Sequence, residues 1–141
     1  MACQNAIPTT RLEPVGEKDD VSSELLIAVI DDDQSFRMAL VESLDSLGYA
    51  ARGFASAEEF IAFGGEASYN CVITDIHMPG MSGLDLARLL TRGGREVPVV
   101  LVTARSDVGD NHAAASGGRC LLRKPFHTDA LIGCLEKVLK G

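Results

Sequence analysis

The sequence has no apolar run approaching the ~20 residues needed to cross a bilayer, and Met1 is followed by polar residues rather than by a basic segment and a hydrophobic one. Neither a membrane span nor a secretory leader is expected, and the expected location is cytoplasmic. There is no basic stripe either. The 13 Lys and Arg are outweighed by 20 Asp and Glu, giving a formal net charge of -7, so direct nucleic-acid binding is not expected. Cys3, Cys71, Cys120 and Cys134 have no CxxC spacing and no histidines at zinc-finger intervals, which suggests neither a metal knuckle nor a disulfide framework. Cys71 and Cys134 lie in apolar patterns and read as small core hydrophobes without a redox role.

What is present is an ordinary globular composition, 46% hydrophobic and 23% charged, in a chain of 141 residues that has room for one domain. Residues 1–24 lack apolar periodicity and contain Pro8, Pro14, Gly16 and the charged run GEKDD, marks of a flexible tail; residues 25–141 form the expected domain. From Leu25 the pattern changes. LLIAVI reads as a buried strand, followed by a helix with Phe36, Leu40, Leu44 and Leu47 on one side and Gly48 as its stop. YAARGF is strand-like, and SAEEFIAF opens with Ser56 and Glu59 at capping-box spacing.

NCVITD is a third strand, and Pro79-Gly80 a turn. Ser82 caps a helix to about Thr91 with Leu86, Leu89 and Leu90 on its apolar side. VPVVLVTA is the fourth strand, DVGDNHAAAS a weak helix capped by Asp107, CLLR the fifth strand, and Leu131, Leu135 and Val138 mark a final helix. Five strands, each followed by a helix, require a mostly parallel sheet covered on both faces, with functional residues at the carboxyl ends of the strands. Those ends supply Asp31, Asp32, Asp75, Thr103 and Lys124.

Carboxylates brought together repel by about 4 kcal/mol per close pair at an intermediate dielectric before solvent relaxes, a cost that a hard divalent cation removes. Mg²⁺ suits oxygen ligands of this kind. A lysine and a hydroxyl beside such a cation also suit a phosphoryl group, for which Asp75 is a candidate nucleophile. A solvated helix cap for the acidic run and an ordinary strand residue at Thr103 are the plainer alternatives; Asp75 and Lys124 at matching strand ends argue against the first.

VIDDDQSFR, VITDIHMPGMSG, VLVTA and KPF occur in an order that resembles the receiver domains of bacterial two-component response regulators, from about Leu26 to Lys140, and FixJ-type receivers most closely. The resemblance implies a doubly wound five-stranded α/β fold of strand order 2-1-3-4-5, with Asp31 and Asp32 as the acid pair and Asp75 as the phosphorylation site. It also implies Mg²⁺, with Mn²⁺ as an expected substitute, held by Asp32, Asp75 and the His77 carbonyl, and through water by Asp31. Thr103 and Lys124 would bond phosphoryl oxygens, His77 and Arg105 would tune the lifetime of the phosphorylated state, and Lys124-Pro125 would be cis. The implied donor is a sensor histidine kinase or a histidine phosphotransfer protein. The implied outputs are contact with a downstream protein and phosphorylation-dependent homodimerisation. Beyond self-phosphorylation and its reversal, no metabolite-converting activity is expected.

Two features depart from the family pattern. Leu121 stands where a Tyr or Phe usually swings as part of the switch, and RSDVGDNHAAASGGRC ends in Gly117 and Gly118, which weakens the helix before the fifth strand. Met1 and the end at Gly141 suggest a stand-alone receiver without an output module. Leu121 and the glycines keep a second reading open, a pseudo-receiver that binds partners without phosphorylation; a sink for a kinase's phosphoryl groups is a third.

Overall fold

The computed structural model describes residues 25–63, 69–92, 97–105 and 117–140. Along the chain these form β1 (Leu26–Ile30), α1 (Gln34–Ser46), β2 (Ala50–Phe54), α2 (Ala57–Phe63), β3 (Cys71–Asp75), α3 (Gly83–Arg92), β4 (Val99–Thr103), β5 (Gly118–Arg123) and α4 (Thr128–Lys140). The tail expected over residues 1–24 and the weak helix capped by Asp107 lie outside the described residues.

All strand pairs are parallel, and the order β2-β1-β3-β4-β5 is the doubly wound arrangement expected. The central strands β3 and β4 are buried at every position, which explains why they read as unbroken apolar runs rather than alternating ones. Their side chains nevertheless alternate between two cores. On one face Val72, Val99 and Leu101 pack with Phe54, Phe60, Leu86 and Leu90, under α2 and α3. On the other, Ile73, Val100 and Val102 pack with Leu40, Leu44, Leu131, Leu135 and Val138, under α1 and α4. Each fully buried Leu or Ile contributes about 1.5–3 kcal/mol of hydrophobic stabilisation, and this burial holds the strand ends in fixed relation.

The starts of α2 and α3 follow the sequence signals, and the acidic run also caps α1, the plainer alternative disfavoured on sequence. Asp33 caps α1 by accepting the Phe36 N–H at 3.2 Å, and Gly48, at φ 97°, turns the chain after Leu47 where an L side chain would be strained. Ser56 accepts the Glu59 N–H at 3.0 Å, while the Glu59 carboxylate reaches back to the Ala55 N–H at 2.9 Å, one residue earlier than the usual capping box. Ser82 caps α3 through the Asp85 N–H.

Three expectations need correction. Leu47 is 37% exposed, because it is the C-cap of α1 rather than part of its apolar stripe, and Leu89 is 47% exposed because Ala87 occupies that part of the buried face of α3. Cys120 and Cys134 are joined by a disulfide, with Cα atoms 6.0 Å apart. Spacing in sequence gave no hint of it because the two residues meet only through the packing of α4 on β5. Cys71 is a buried core residue, as expected, and burial pushes its thiol up to about 12.

Candidate phosphoacceptor site

The carboxyl edge of the sheet gathers Asp31, Asp32 and Asp75, each offering an oxygen within 4.8 Å of the others'. Asp31 follows β1 and is almost fully buried; one oxygen accepts the Asp33 N–H at 2.9 Å and the other the Lys124 ammonium at 2.9 Å. Asp32 is exposed at the mouth. Asp75 ends β3, opposite Val102, with its side chain 11% exposed. Such a set can coordinate a divalent cation: its donors are all hard oxygens, and one of them faces water.

Asp75 reports the electrostatic problem. Burial foremost, and then the Asp31 carboxylate, hold its carboxyl above the usual range; Lys124 and the His77 backbone N–H partly offset this, and Asp32 adds to the rise. Among the described residues the Lys124 ammonium offsets this charge, lying 2.9 Å from Asp31 and 3.8 Å from Asp75.

Two further contacts place Lys124: its N–H donates to the Thr103 carbonyl at 2.8 Å, and its ammonium lies 4.0 Å from the centroid of the Phe36 ring. Its bond to Pro125 is cis, as expected. Phe36 is in turn met edge-on by Phe126, 5.9 Å away, so α1 supplies an aromatic floor under the cation. Thr103 is fully buried at the end of β4, next to Val102, and its hydroxyl accepts the Arg105 N–H at 3.0 Å. His77 is exposed, with its N–H turned to Asp75. Leu121 is partly buried against the α2–α3 core, and the Arg105 carbonyl is approached by the Arg123 guanidinium at 3.4 Å.

Three positioning residues were not read from the sequence. Arg37 donates to the Asp31 carbonyl at 2.6 Å and so fixes the acidic loop. Glu58 accepts the Met81 N–H at 2.8 Å, a bond that holds its carboxyl below the usual range and ties α2 to the loop after Asp75. Gly83 starts α3 where any Cβ would strike the Asp75 carbonyl oxygen. Gly83 and Arg37 each close a stretch that carries the family resemblance, MPGMSG and VIDDDQSFR, but their roles were not read from it; Arg37 and Glu58 act on backbone groups that no spacing rule points to.

Fold and site together define an α/β domain with a cation-competent acidic pocket and one lysine at the carboxyl edge of its sheet. Residues 27–136 match the model of the response regulator receiver domain, and the chain belongs to that family. Its acidic cluster is the active-site cluster of a receiver, in keeping with phosphorylation-based signalling. The chain is 35% identical over 116 residues to the transcriptional regulatory protein FixJ of Azorhizobium caulinodans, covering 82% of this chain and 55% of that protein. It is 32% identical over 118 residues to the response regulator protein TmoT of Ectopseudomonas mendocina, covering 83% and 54%. The chain therefore spans about half the length of these curated relatives. Among solved structures, the response regulator TrrA of Thermotoga maritima in complex with Mg²⁺ and BeF is similar, with a TM-score of 0.73 and 30% identity over 82% of this chain and 99% of that one. No helix among the described residues is long and apolar enough to cross a membrane.

Proposed function

We propose that the chain is a phosphorylation-driven signalling receiver in which Asp75 takes a phosphoryl group from a phosphohistidine on a sensor kinase or phosphotransfer protein. The observation that carries this reading is one ammonium, that of Lys124, lying 2.9 Å from Asp31 and 3.8 Å from Asp75 beside three carboxylates that need a cation. Asp32, Asp75, the His77 carbonyl and, through water, Asp31 would hold Mg²⁺ or Mn²⁺, which when bound neutralises charge on the transferring phosphoryl oxygens.

Asp75 attacks phosphorus, an O–P bond forms as the N–P bond breaks, and the imidazole leaves after gaining a proton. Lys124 moves its charge from Asp75 to a phosphoryl oxygen, retaining Asp31 as its second partner. The Thr103 hydroxyl, whose oxygen already accepts from Arg105, still has its proton to donate to another phosphoryl oxygen. Water attack on phosphorus later releases inorganic phosphate and restores the carboxylate. His77 and Arg105 border the entrance and set how readily that water lines up. Output runs through protein contact, to a downstream protein or a second copy of the domain.

The test is incubation with acetyl phosphate and Mg²⁺, reading intact mass. Wild type gains one phosphoryl group, and Asp75→Asn and metal-free wild type gain none. Leu121, packed into the core without a ring to swing, favours a second reading as a phosphorylation-independent interaction domain. An unmodified wild type selects it.

A further inference from the structure

The disulfide lies outside the acidic pocket and has no part in phosphoryl transfer. We propose that Cys120 and Cys134 are a reversible redox-modification site, oxidised by hydrogen peroxide and reduced by dithiols, whose bond clamps β5 to α4.

Three observations support reversibility over a purely structural staple. Domains that depend on disulfides lack a sufficient core, whereas this one has a continuous core on each face of its sheet. The bond spans a sequence separation of 14 and joins two elements that already pack together through Leu122, Leu131 and Leu135. Cys120 is only half-buried while Cys134 is buried, so Cys120 is the more accessible residue of the pair.

The pairing is also built into the strand. Val99 pairs with Gly118 but Val100 pairs with Cys120, so β5 carries one extra residue, Arg119. Without that bulge, Arg119 would oppose Val100, and Cys120 would oppose Leu101 and face the α2–α3 core. The bulge turns Cys120 to the α4 side, where Cys134 waits. Because Cys120 shares its strand with Leu121 and precedes Lys124 by four residues, the clamp restrains the strand that delivers the lysine.

In oxidation, the Cys120 thiolate attacks one peroxide oxygen, the O–O bond breaks, and a sulfenic acid and hydroxide form. The Cys134 thiolate then attacks that sulfur and expels a second hydroxide. The two thiol protons convert both hydroxides to water, and the peroxide takes up the two electrons that the sulfurs lose. In reduction, a dithiol's thiolate attacks Cys120, the Cys134 thiolate leaves, and the second thiol releases Cys120 as the reagent leaves oxidised.

The site is tested on the full chain by native dithiothreitol treatment and desalting, then iodoacetamide labelling in denaturant and intact mass, with circular dichroism checking the fold before denaturation. Native reduction should add two adducts relative to the oxidised protein with the fold unchanged, and hydrogen peroxide followed by desalting should remove that difference. A count that dithiothreitol raises only when it is added in denaturant overturns reversibility. Amide exchange in β5 and α4 should be at least tenfold faster in the reduced form, and Cys120→Ser and Cys134→Ser should each match it under both redox conditions. Equal exchange in the two forms overturns the clamp.

An effect on signalling rests on the phosphoacceptor reading: the acetyl-phosphate-labelled lifetime should differ at least threefold between oxidised and reduced protein, and equal lifetimes overturn that coupling. If neither form is labelled, the phosphoacceptor reading fails and takes the coupling with it, while the thiol count and exchange still decide the redox site.

Discussion

Strand β3 is buried at all five positions and ends in Asp75, whose carbonyl is pressed against Gly83; β5, at the sheet's edge, has one buried position of six, a bulge and a cross-link to α4. In the proposed reaction the two strands nevertheless deliver the two groups that meet the phosphoryl group, Asp75 and Lys124. A strand packed on both faces cannot shift without opening voids, so the proposed nucleophile is fixed. The lysine comes from a strand with fewer neighbours. Adjustment to a bound phosphoryl group therefore falls on the β5 side, through the half-buried segment containing Leu121.

The contrast is broken most forcefully in the core. Ile73→Ala should cost about 4 kcal/mol in urea unfolding, and Leu121→Ala about half of that. Equal costs would mean that β5 is as constrained as β3. Reduction of the disulfide, with its sequence separation of 14, should cost about 3 kcal/mol by the loop-entropy account, read as a lower urea midpoint for the reduced protein. Gly83→Ala should cost about 2 kcal/mol, because the new Cβ meets backbone rather than a yielding side chain, and should slow phosphoryl incorporation by displacing Asp75.

The smallest effect sharpens the electrostatic side of the comparison. Asp75 has its carboxyl raised by burial and by Asp31, so in metal-free protein the destabilisation is fully present above its folded-state pKa and fades as pH falls through it. Asp75→Asn should melt about 3 °C above wild type in EDTA at neutral pH, roughly 1 kcal/mol for a domain of this size. The gap should narrow on acidification, and adding Mg²⁺ should raise the wild-type melting temperature more than that of the variant.

Much of the fold was legible because the buried parallel strands are short apolar runs bounded by turns, and because Ser56, Ser82 and Gly48 mark their helix ends with local chemistry; the cap at Asp33 belongs to the alternative reading of the acidic run, disfavoured on sequence. The acidic triad was legible for a related reason: a doubly wound sheet aligns strand ends, so Asp31, Asp32 and Asp75 could be gathered without coordinates. Residues whose roles depend on a distant partner were hidden. Arg37 acts on a backbone carbonyl, Glu58 on an amide 23 residues away, and Cys120 faces α4 only because one inserted residue changes the strand's phase. Periodicity also misassigned Leu47 and Leu89, since an apolar side chain at the right spacing still reaches water where its helix ends or where a smaller neighbour fills the contact.

Gly53, on the outermost strand, lies under the arm of Arg37: a Cβ there would come within 3.0 Å of the arginine's Cγ and 3.1 Å of its Cδ. Because that same arginine grips the Asp31 carbonyl, a methyl at position 53 would press on the arm that holds the acidic loop, from the sheet's far margin. The shape of the acidic loop thus answers in part to a residue with no side chain and no charge.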